Sequence, residues 1–197
     1  MEQRTEEWYA ARRGRATGSQ FSILMAKRGL GKTAKTYAKR LIADEIQDTF
    51  EEQYTSKAMQ NGIDLEPIAI DRYEAETMNE VNAVGFITKG DFIGCSPDGL
   101  VGEVGGIEAK CPGSDKHISN LLSEECPSEY YDQIQGLIYI AGLEWCDFVS
   151  YNPHFKPEFQ IKIIRVEPDL EWQELFEQRV NGFRELINNY KSKLEWK

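Results

Sequence analysis

The chain of 197 residues contains only two histidines and four cysteines, and it has no long apolar run. No stretch approaches the roughly 20 apolar residues of a membrane-spanning helix, so no membrane partner is expected. The first seven positions carry three glutamates and do not have the pattern of a secretory signal. These absences predict a cytoplasmic location.

The spacing of the cysteines argues against a zinc site. They are Cys95, Cys111, Cys126 and Cys146, and no two of them form a Cys-x-x-Cys pair. An iron–sulfur cluster held by the four thiolates is an alternative. Cys95 and Cys111 are instead interpreted as small buried hydrophobic residues.

Charge is distributed unevenly along the chain. The formal net charge is −10, yet residues 12–40 carry no acidic residue. The basic residues in this range are Arg12, Arg13, Arg15, Lys27, Arg28, Lys32, Lys35, Lys39 and Arg40. This segregation predicts a phosphate-binding face on an anionic body. The alternative is a lysine-rich helix surface that only aids solubility.

The most informative motif runs from Pro97 to Lys110. It reads Pro-Asp, then nine residues, then Glu-x-Lys. Two short apolar-rich runs, 100–104 and 107–111, flank Gly105-Gly106. This pattern predicts a β-hairpin with the two glycines at its turn.

The hairpin would bring three reactive side chains together. Side chains alternate along a strand, so Glu108 and Lys110 share one face, and Asp98 directly precedes the first strand. Two carboxylates can hold a hard divalent cation through oxygen, and a lysine beside them can act on an attacking water. The motif therefore predicts a metal-dependent phosphodiesterase site, whereas a solvated Glu–Lys pair is the simpler alternative.

The remaining periodicity predicts an α/β fold, a mixed central β-sheet flanked by helices, in a single domain spanning 1–197. Helices are expected at 5–14, from a Thr17-Gly18-Ser19 cap to Leu24, and at 33–49, 56–76, 128–142 and 169–194. Strands are expected at 81–88, 91–95, 100–104, 107–111, 145–151 and 158–166. Ile46 is placed on the apolar face of the third helix, Pro67 should kink or restart the fourth, and the last helix should pack on the sheet.

Other polar residues are candidates for the same site. Glu66 precedes Pro67 and is a possible third carboxylate. Gln133 and Gln135 lie on an otherwise apolar helix, where a buried amide needs a polar partner. Ala26-x4-Gly31-Lys32-Thr33 loosely matches a phosphate-binding loop, but it lacks the first glycine and a preceding strand.

Several motifs in register resemble the lambda exonuclease or YqaJ-like viral recombinase family of the PD-(D/E)xK nuclease superfamily. The resemblance rests on residues 95–100 and 107–112 and on an N-terminal Trp8-x3-Arg12-x-Gly14-x2-Thr17-x-Ser19 motif. It is supported by Gly62-x3-Glu66, Gln133-Ile134-Gln135 and Tyr151-Asn152-Pro153 in the expected order.

The resemblance implies a PD-(D/E)xK restriction-endonuclease-like core and a Mg²⁺-dependent 5′-to-3′ exonuclease. Such an enzyme digests one strand of double-stranded DNA from 5′-phosphorylated ends and leaves 3′ single-stranded overhangs for recombination. It implies two Mg²⁺ ions, with Mn²⁺ as a substitute, a homotrimeric ring, and a single-strand annealing protein as a possible partner. The gene would belong to a phage or prophage in a bacterial host.

The resemblance also assigns roles residue by residue. Asp98, Glu108 and the carbonyl of Ala109 would hold metal, Lys110 would be the catalytic lysine, and Glu66 and Gln133 would complete the site. The residues assigned to DNA are Arg12, Ser19 and Ser96 at the 5′-phosphate, Arg28 at the minor groove, and Lys57 and Met59 at the strand and duplex end.

Two other functions use the same residues. A structure-specific or restriction-type endonuclease can be built on the same core, and a covalently closed circular duplex would distinguish it, because an exonuclease leaves circles intact. A non-catalytic DNA-binding recombination partner is the second alternative. It would bind DNA without cleaving it in magnesium.

Overall fold

The computed structural model describes residues 2–47 and 56–194. The helices are α1 Glu6–Arg12, α2 Phe21–Leu24, α3 Lys32–Ile46, α4 Lys57–Thr77, α5 Ser114–Leu121, α6 Ser128–Ala141 and α7 Leu170–Lys193. The strands are β1 Ala16–Thr17, β2 Val81–Asn82, β3 Ile87–Lys89, β4 Ile93–Cys95, β5 Gly99–Val101, β6 Gly105–Lys110, β7 Trp145–Tyr151 and β8 Ile161–Val166. The predicted extension of the third helix to residues 48 and 49 lies outside the described residues.

The strands form two mixed sheets. The larger has the order β2-β5-β6-β7-β8, and the smaller has the order β1-β4-β3. In the larger sheet β6 and β7 are parallel and the other pairs are antiparallel. A parallel pair needs a long crossover, which the segment carrying α5 and α6 supplies.

Two apolar clusters cover the strands. The larger contains buried residues of α2, α3, α6 and α7, including Phe21, Phe176 and Phe183. The smaller lies beneath α4 and joins Tyr73 and Ala69 to Ile107 of β6. The strand β6 is therefore central in its sheet and buried along most of its length. This burial holds its side chains in fixed positions.

The predicted hairpin is confirmed, but its predicted turn is wrong. The chain turns at residues 102–104, where Gly102 has a φ of +59°. Gly105 and Gly106 instead begin β6 and pair with β5. A Cβ at Gly105 would meet the ring of Trp145, and one at Gly106 would meet Leu143. Close packing of neighbouring side chains therefore requires these glycines, and turn geometry does not.

Other local predictions also differ from the structure. Thr17 lies in β1 and makes no side-chain cap hydrogen bond. Ile46 is 57% exposed and not on the buried face of α3. Helix α4 runs unbroken through Pro67, so of the two predicted effects of this proline, a kink or a restart, the restart is wrong. Helix α5 was not predicted.

The C-terminal half agrees closely with the sequence. α6 and β7 lie within a residue of their predicted ranges, and α7 buries Trp172, Phe176, Val180, Phe183 and Ile187 at helical spacing. Its main neighbours are α2, α3 and α6, so it packs mostly on helices and the expectation that it packs on the sheet is wrong. Within the described ranges, no helix is both long and apolar enough to cross a membrane.

Candidate active site

Strand β6 positions two of the predicted reactive side chains. Glu108 and Lys110 face a cavity, whereas Ile107 and Ala109 face the apolar cluster beneath α4. This is the alternation expected of a strand. The apolar packing on one face fixes which side chains the other face presents.

The cavity collects side chains from five parts of the chain. It has a volume of about 180 Å³. It is lined by Gln3, Trp8, Arg12, Gly18, Ser19, Ser96, Asp98, Glu108, Lys110, Gln133 and Leu137. Seven of the predicted site residues therefore lie around one space, although their roles are predictions.

Glu108 is the most deeply buried of the acidic side chains there, at 1% exposed. Its Oε1 atom accepts hydrogen bonds from the Lys110 ammonium and, at 2.6 Å, from the Gln133 amide. Its Oε2 atom is buried and has no hydrogen-bond partner among the described residues. A buried carboxylate oxygen without a partner is costly, and a bound cation would compensate it.

Asp98 is tied to the same strand by its backbone and side chain. Its Oδ2 atom accepts from the Ala109 N–H at 2.8 Å, and its own N–H donates to the Ile107 carbonyl at 3.2 Å. These bonds fix the carboxylate beside β6. The loop residue and the strand residues consequently form one rigid unit.

The pKa values of both carboxyl groups are shifted in the same direction. Burial raises the pKa of Asp98 well above its usual range, and the charges of Glu108 and Glu66 raise it further. Burial also raises the pKa of Glu108, against the opposing effect of Lys110. Crowded, desolvated carboxylates favour either a proton or a positive ion.

Lys110 remains an ammonium in this environment. Burial by itself would lower its pKa, but the charges of Glu108 and Asp98 outweigh burial and raise it. The ammonium also lies 5.5 Å from the centre of the Tyr130 ring. A lysine needs a lowered pKa to act as a general base, so this lysine is suited to donating hydrogen bonds and supplying positive charge.

The site fits a hard divalent cation. Among the described residues, no three His, Cys, Asp or Glu side chains form a ready metal cluster. The donors present are two carboxylates and the amide of Gln133, whose oxygens are ligands of the kind Mg²⁺ accepts together with several waters. The partnerless oxygen of Glu108 supports this fit.

Arg12 forms the other wall of the cavity. Its guanidinium lies 4.1 Å from the centre of the Trp8 ring and 5.6 Å from that of Phe86. The indole N–H of Trp8 donates to Ser96 Oγ at 2.8 Å. The Ser96 hydroxyl proton is therefore available to another acceptor, and the stacked guanidinium can bind a phosphate.

Five predicted site residues lie outside the cavity lining, and one of them is Ala109, whose side chain faces the apolar cluster beneath α4. Glu66 is on α4 and pairs with Arg4 at 2.9 Å, but its charge raises the pKa of both Asp98 and Glu108. The other three are Arg28 in the loop before α3, and Lys57 and Met59 in the first turn of α4, all exposed.

Three alternative interpretations of the sequence can now be examined. The amide of Gln135 bonds with the backbone of Glu167 and Asp169, so it supports the start of α7 and not the site. Gly31 precedes α3 after a loop and a helix, which is not the strand-to-helix context of a phosphate-binding loop. All four cysteines are free, and burial raises the pKa of Cys95 to about 12, which disfavours a thiolate ligand.

Sequence reasoning gave no role to three residues around the cavity. Trp8 was recognised only as part of a motif, and its position below Arg12 was not expected. Gln3 donates to the carbonyls of Val84 and Pro97 at 3.0 and 2.8 Å. Arg4 pairs with Glu66. The contacts of Gln3 and Arg4 join distant parts of the chain, so no local pattern could have revealed them. Trp8 and Arg12 are four residues apart on α1, so helical spacing was the signal that could have indicated their contact.

The comparisons with known proteins agree with this geometry. The model of the YqaJ-like viral recombinase domain matches residues 7–144. Among curated proteins, none matches the sequence. The fold is similar to an alkaline exonuclease (LHK-Exo) from Laribacter hongkongensis, with a TM-score of 0.88 and 36% identity over 97% of this chain and 96% of that chain.

Two further structures are similar. LHK-Exo in complex with dAMP has a TM-score of 0.87 and 37% identity over 97% of this chain and 98% of that one. A phage-related exonuclease from Haemophilus somnus 129PT has a TM-score of 0.73 over 91% of this chain and 96% of that chain, and at 14% identity it shows only a shared fold. The likeness to alkaline exonuclease confirms the expected fold class.

The raised carboxyl pKa values predict how stability depends on pH. A carboxyl whose pKa is higher in the folded state stabilises the fold below its unfolded pKa, and this contribution is lost as pH rises through the folded pKa. With a chelator present, the melting temperature of Asp98→Asn relative to that of the wild type should therefore increase as the pH rises above the unfolded pKa of the carboxyl. The gain corresponds to about 1.4 kcal/mol for each pH unit by which folding raises the pKa.

Thermal melts at several pH values check this expectation. Asp64→Asn alters an exposed carboxylate bonded to Gln60 and serves as the control. Its difference in melting temperature from the wild type should not grow as the pH rises. Adding Mn²⁺ should raise the melting temperature of the wild type more than that of Asp98→Asn. If the difference in melting temperature between Asp98→Asn and the wild type were the same at every pH, the raised pKa of Asp98 in the folded protein would be contradicted.

Proposed function

The chain belongs to the YqaJ-like viral recombinase domain family, and we propose that it is a Mg²⁺-dependent 5′-to-3′ exonuclease acting on double-stranded DNA. It would digest one strand from a 5′-phosphorylated end and leave a 3′ single-stranded overhang for recombination. The coarser assignment, a nuclease of the alkaline exonuclease type, follows from the family and from LHK-Exo. The single observation that carries the proposal is the placement of Asp98, Glu108 and Lys110 opposite Arg12 in one cavity.

The cavity has the polarity that a terminal nucleotide needs. One wall carries carboxylates that suit a cation, and the other carries an arginine that suits a phosphate. A cavity of about 180 Å³ is far smaller than a duplex, so it would receive only the terminal phosphate of one strand. The complex of LHK-Exo with dAMP, a nucleoside monophosphate, supports the binding of a single nucleotide in the corresponding protein.

The cation site would be formed by Asp98, Glu108 and the carbonyl of Ala109. When bound there, divalent cations supply a water of lowered pKa and stabilise negative charge on the leaving oxygen. Gln133 holds Glu108 Oε1 in place and leaves Oε2 for the cation. Glu66 adds negative charge that favours cation binding.

Lys110 would stabilise charge and not remove a proton. The charges of Glu108 and Asp98 raise its pKa, and as an ammonium it can orient the attacking water and neutralise charge that develops in the transition state. Its contact with Glu108 fixes its direction. We assign the lysine to catalysis and not to metal binding.

Arg12, Ser19 and Ser96 would bind the 5′-phosphate. A guanidinium forms two parallel hydrogen bonds with a phosphate, and the stack on Trp8 holds its plane in position. The more distant Arg28, Lys57 and Met59 would contact the duplex outside the cavity. The reaction would take place in the cytoplasm of a phage host, where a single-strand annealing protein would receive the overhang.

The first test removes the reactive groups one at a time. Asp98→Ala, Glu108→Ala and Lys110→Ala should each lower the single-turnover rate on linear 5′-phosphorylated duplex by at least about a thousandfold, because each group acts on the transition state. Lys110→Ala should still bind DNA and cation. Lys116→Ala, a neighbouring lysine paired with Glu129, is the matched control and should retain the wild-type rate.

Two results would contradict this part of the proposal. A wild-type rate in Lys110→Ala would remove the lysine from catalysis. Cleavage of a covalently closed circular duplex by the wild type would indicate an endonuclease. Omission of divalent cation should abolish the reaction.

The second test concerns the reading of the DNA end. Arg12→Ala should slow digestion of 5′-phosphorylated ends by about 10- to 100-fold, since a charged hydrogen-bonded pair is lost, while 5′-hydroxyl ends are slowed much less. Arg15→Ala is the control, because Arg15 bonds to the Ala11 carbonyl instead. If Arg12→Ala slowed digestion of 5′-phosphorylated and 5′-hydroxyl ends equally, Arg12 would be a general contact to the DNA backbone and not a contact to the terminal phosphate.

The third test concerns assembly. We propose a homotrimeric ring, in which three basic faces formed by residues 12–40 surround a channel and the acidic remainder faces outward. A single chain of net charge −10 has a weak electrostatic hold on DNA, and each neutralised phosphate adds to that hold. Light scattering should give three times the 22.6 kDa chain mass. A monomer both alone and on DNA would refute the ring.

A further inference from the structure

The segment formed by residues 2–5 is fastened to the loop that carries Asp98. The Gln3 amide donates to the carbonyls of Val84 and Pro97, and Pro97 directly precedes Asp98. On the other side, Thr5 Oγ1 donates to the Glu2 carbonyl and accepts from the Trp8 N–H. The segment is thus held at both ends, with Arg4 between the two anchors.

The backbone of Arg4 has an unusual conformation. Its φ is +67°, in the left-handed region that a residue with a Cβ adopts only at an energetic cost. The anchors at Gln3 and Thr5 maintain this conformation. It directs the Arg4 side chain across the chain to a residue 62 positions away.

That residue is Glu66, the third carboxylate near the candidate site. Arg4 Nη2 lies 2.9 Å from Glu66 Oε2, and their side chains are 41% and 24% exposed. The pair lies beside the site, because Gln3, the neighbour of Arg4, lines the cavity and bonds to the residue before Asp98. Arg4 therefore neutralises the Glu66 carboxylate, whose negative charge would otherwise favour binding of a cation.

The pair is suited to exchange. An ion pair this exposed contributes little net stability, so it opens readily. A guanidinium and a divalent cation repel each other, and they compete for the same carboxylate. An arginine displaced from Glu66, next in the chain to a residue that lines the cavity, can pair with a phosphate of bound DNA.

We propose that Arg4 is a further DNA-binding residue, which pairs with Glu66 until divalent cations bind and then transfers its guanidinium to a DNA phosphate. The inference rests on the proposed nuclease function and deepens it. Arg4 weakens cation binding in the absence of DNA and adds one phosphate contact in its presence. Because coupling between ligands is reciprocal, DNA then raises cation affinity through the same residue.

The experiment measures binding without catalysis. Titration calorimetry with Ca²⁺ alone compares the DNA-free wild type, Arg4→Gln and Arg72→Gln. Arg72 lies on α4 and pairs with Glu76 at 3.1 Å, so its replacement changes net charge equally at another place. Arg4→Gln should bind Ca²⁺ about 3- to 10-fold more tightly, and Arg72→Gln should match the wild type.

A second measurement follows DNA binding. Fluorescence anisotropy with a short 5′-phosphorylated duplex in Ca²⁺ gives the dependence of affinity on salt. Arg4→Gln should reduce the slope of log K against log salt by about 1, as loss of one phosphate contact does. Arg4→Lys, which keeps the charge, should retain the wild-type slope, and thermal melts verify that each variant is folded.

A double-mutant cycle separates exchange from general electrostatics. In a Glu66→Gln background, replacing Arg4 should no longer change Ca²⁺ affinity but should still change the salt slope. An Arg4→Gln variant equal to the wild type in both measurements would make the pair purely structural and overturn the inference. A wild type that binds no Ca²⁺ would overturn the proposed function as well.

Discussion

The burial of Glu108 beside Lys110 in β6 is the constraint on which the rest of the site depends. An ionised carboxylate removed from water is costly unless it is paired. Lys110 and Gln133 satisfy one oxygen, and the other lacks a protein partner among the described residues. The nearby charges of Asp98 and Glu66 increase the cost. The site is therefore arranged to attract positive charge, whether a proton, a guanidinium or a divalent cation.

The scaffold keeps this charged unit in place through close packing and a buried polar network. The parallel pairing of β6 with β7 sets Lys110 opposite Ser150. Ser150 Oγ accepts from the Asn120 amide and lies 2.9 Å from His117 Nδ1, while His117 Nε2 lies 2.8 Å from the Phe159 carbonyl. Because a carbonyl oxygen only accepts, His117 donates to Phe159 from Nε2. These hydrogen bonds hold α5 against β7, and β7 pairs with the strand that carries Lys110. The crossover is therefore fixed in position relative to Lys110.

The distribution of charge separates binding from chemistry. The chain is anionic overall, yet residues 12–40 carry only basic charges. Of these basic residues, Arg12 lines the cavity. In the proposed complex the carboxylates of the cavity would attract cations and repel DNA, and the basic residues would compensate this repulsion at the backbone phosphates. The proposed exchange of Arg4 would couple the two effects.

The sequence by itself determined which residue types belong to the site and which elements carry them. The alternation in β6 separates Glu108 and Lys110 from Ile107 because strand geometry is local, and the helical period of α7 identified its buried face for the same reason. Family motifs identified Arg12 and Gln133. The tertiary structure alone decided that Gly105 and Gly106 lie in a strand, since Trp145 and Leu143 occupy the space a Cβ would need. It also decided the pairing of Arg4 with Glu66 and the bonds of Gln3 to the carbonyls of Val84 and Pro97. These contacts depend on the packing of segments far apart in the chain, and a local pattern carries no information about which distant surfaces meet.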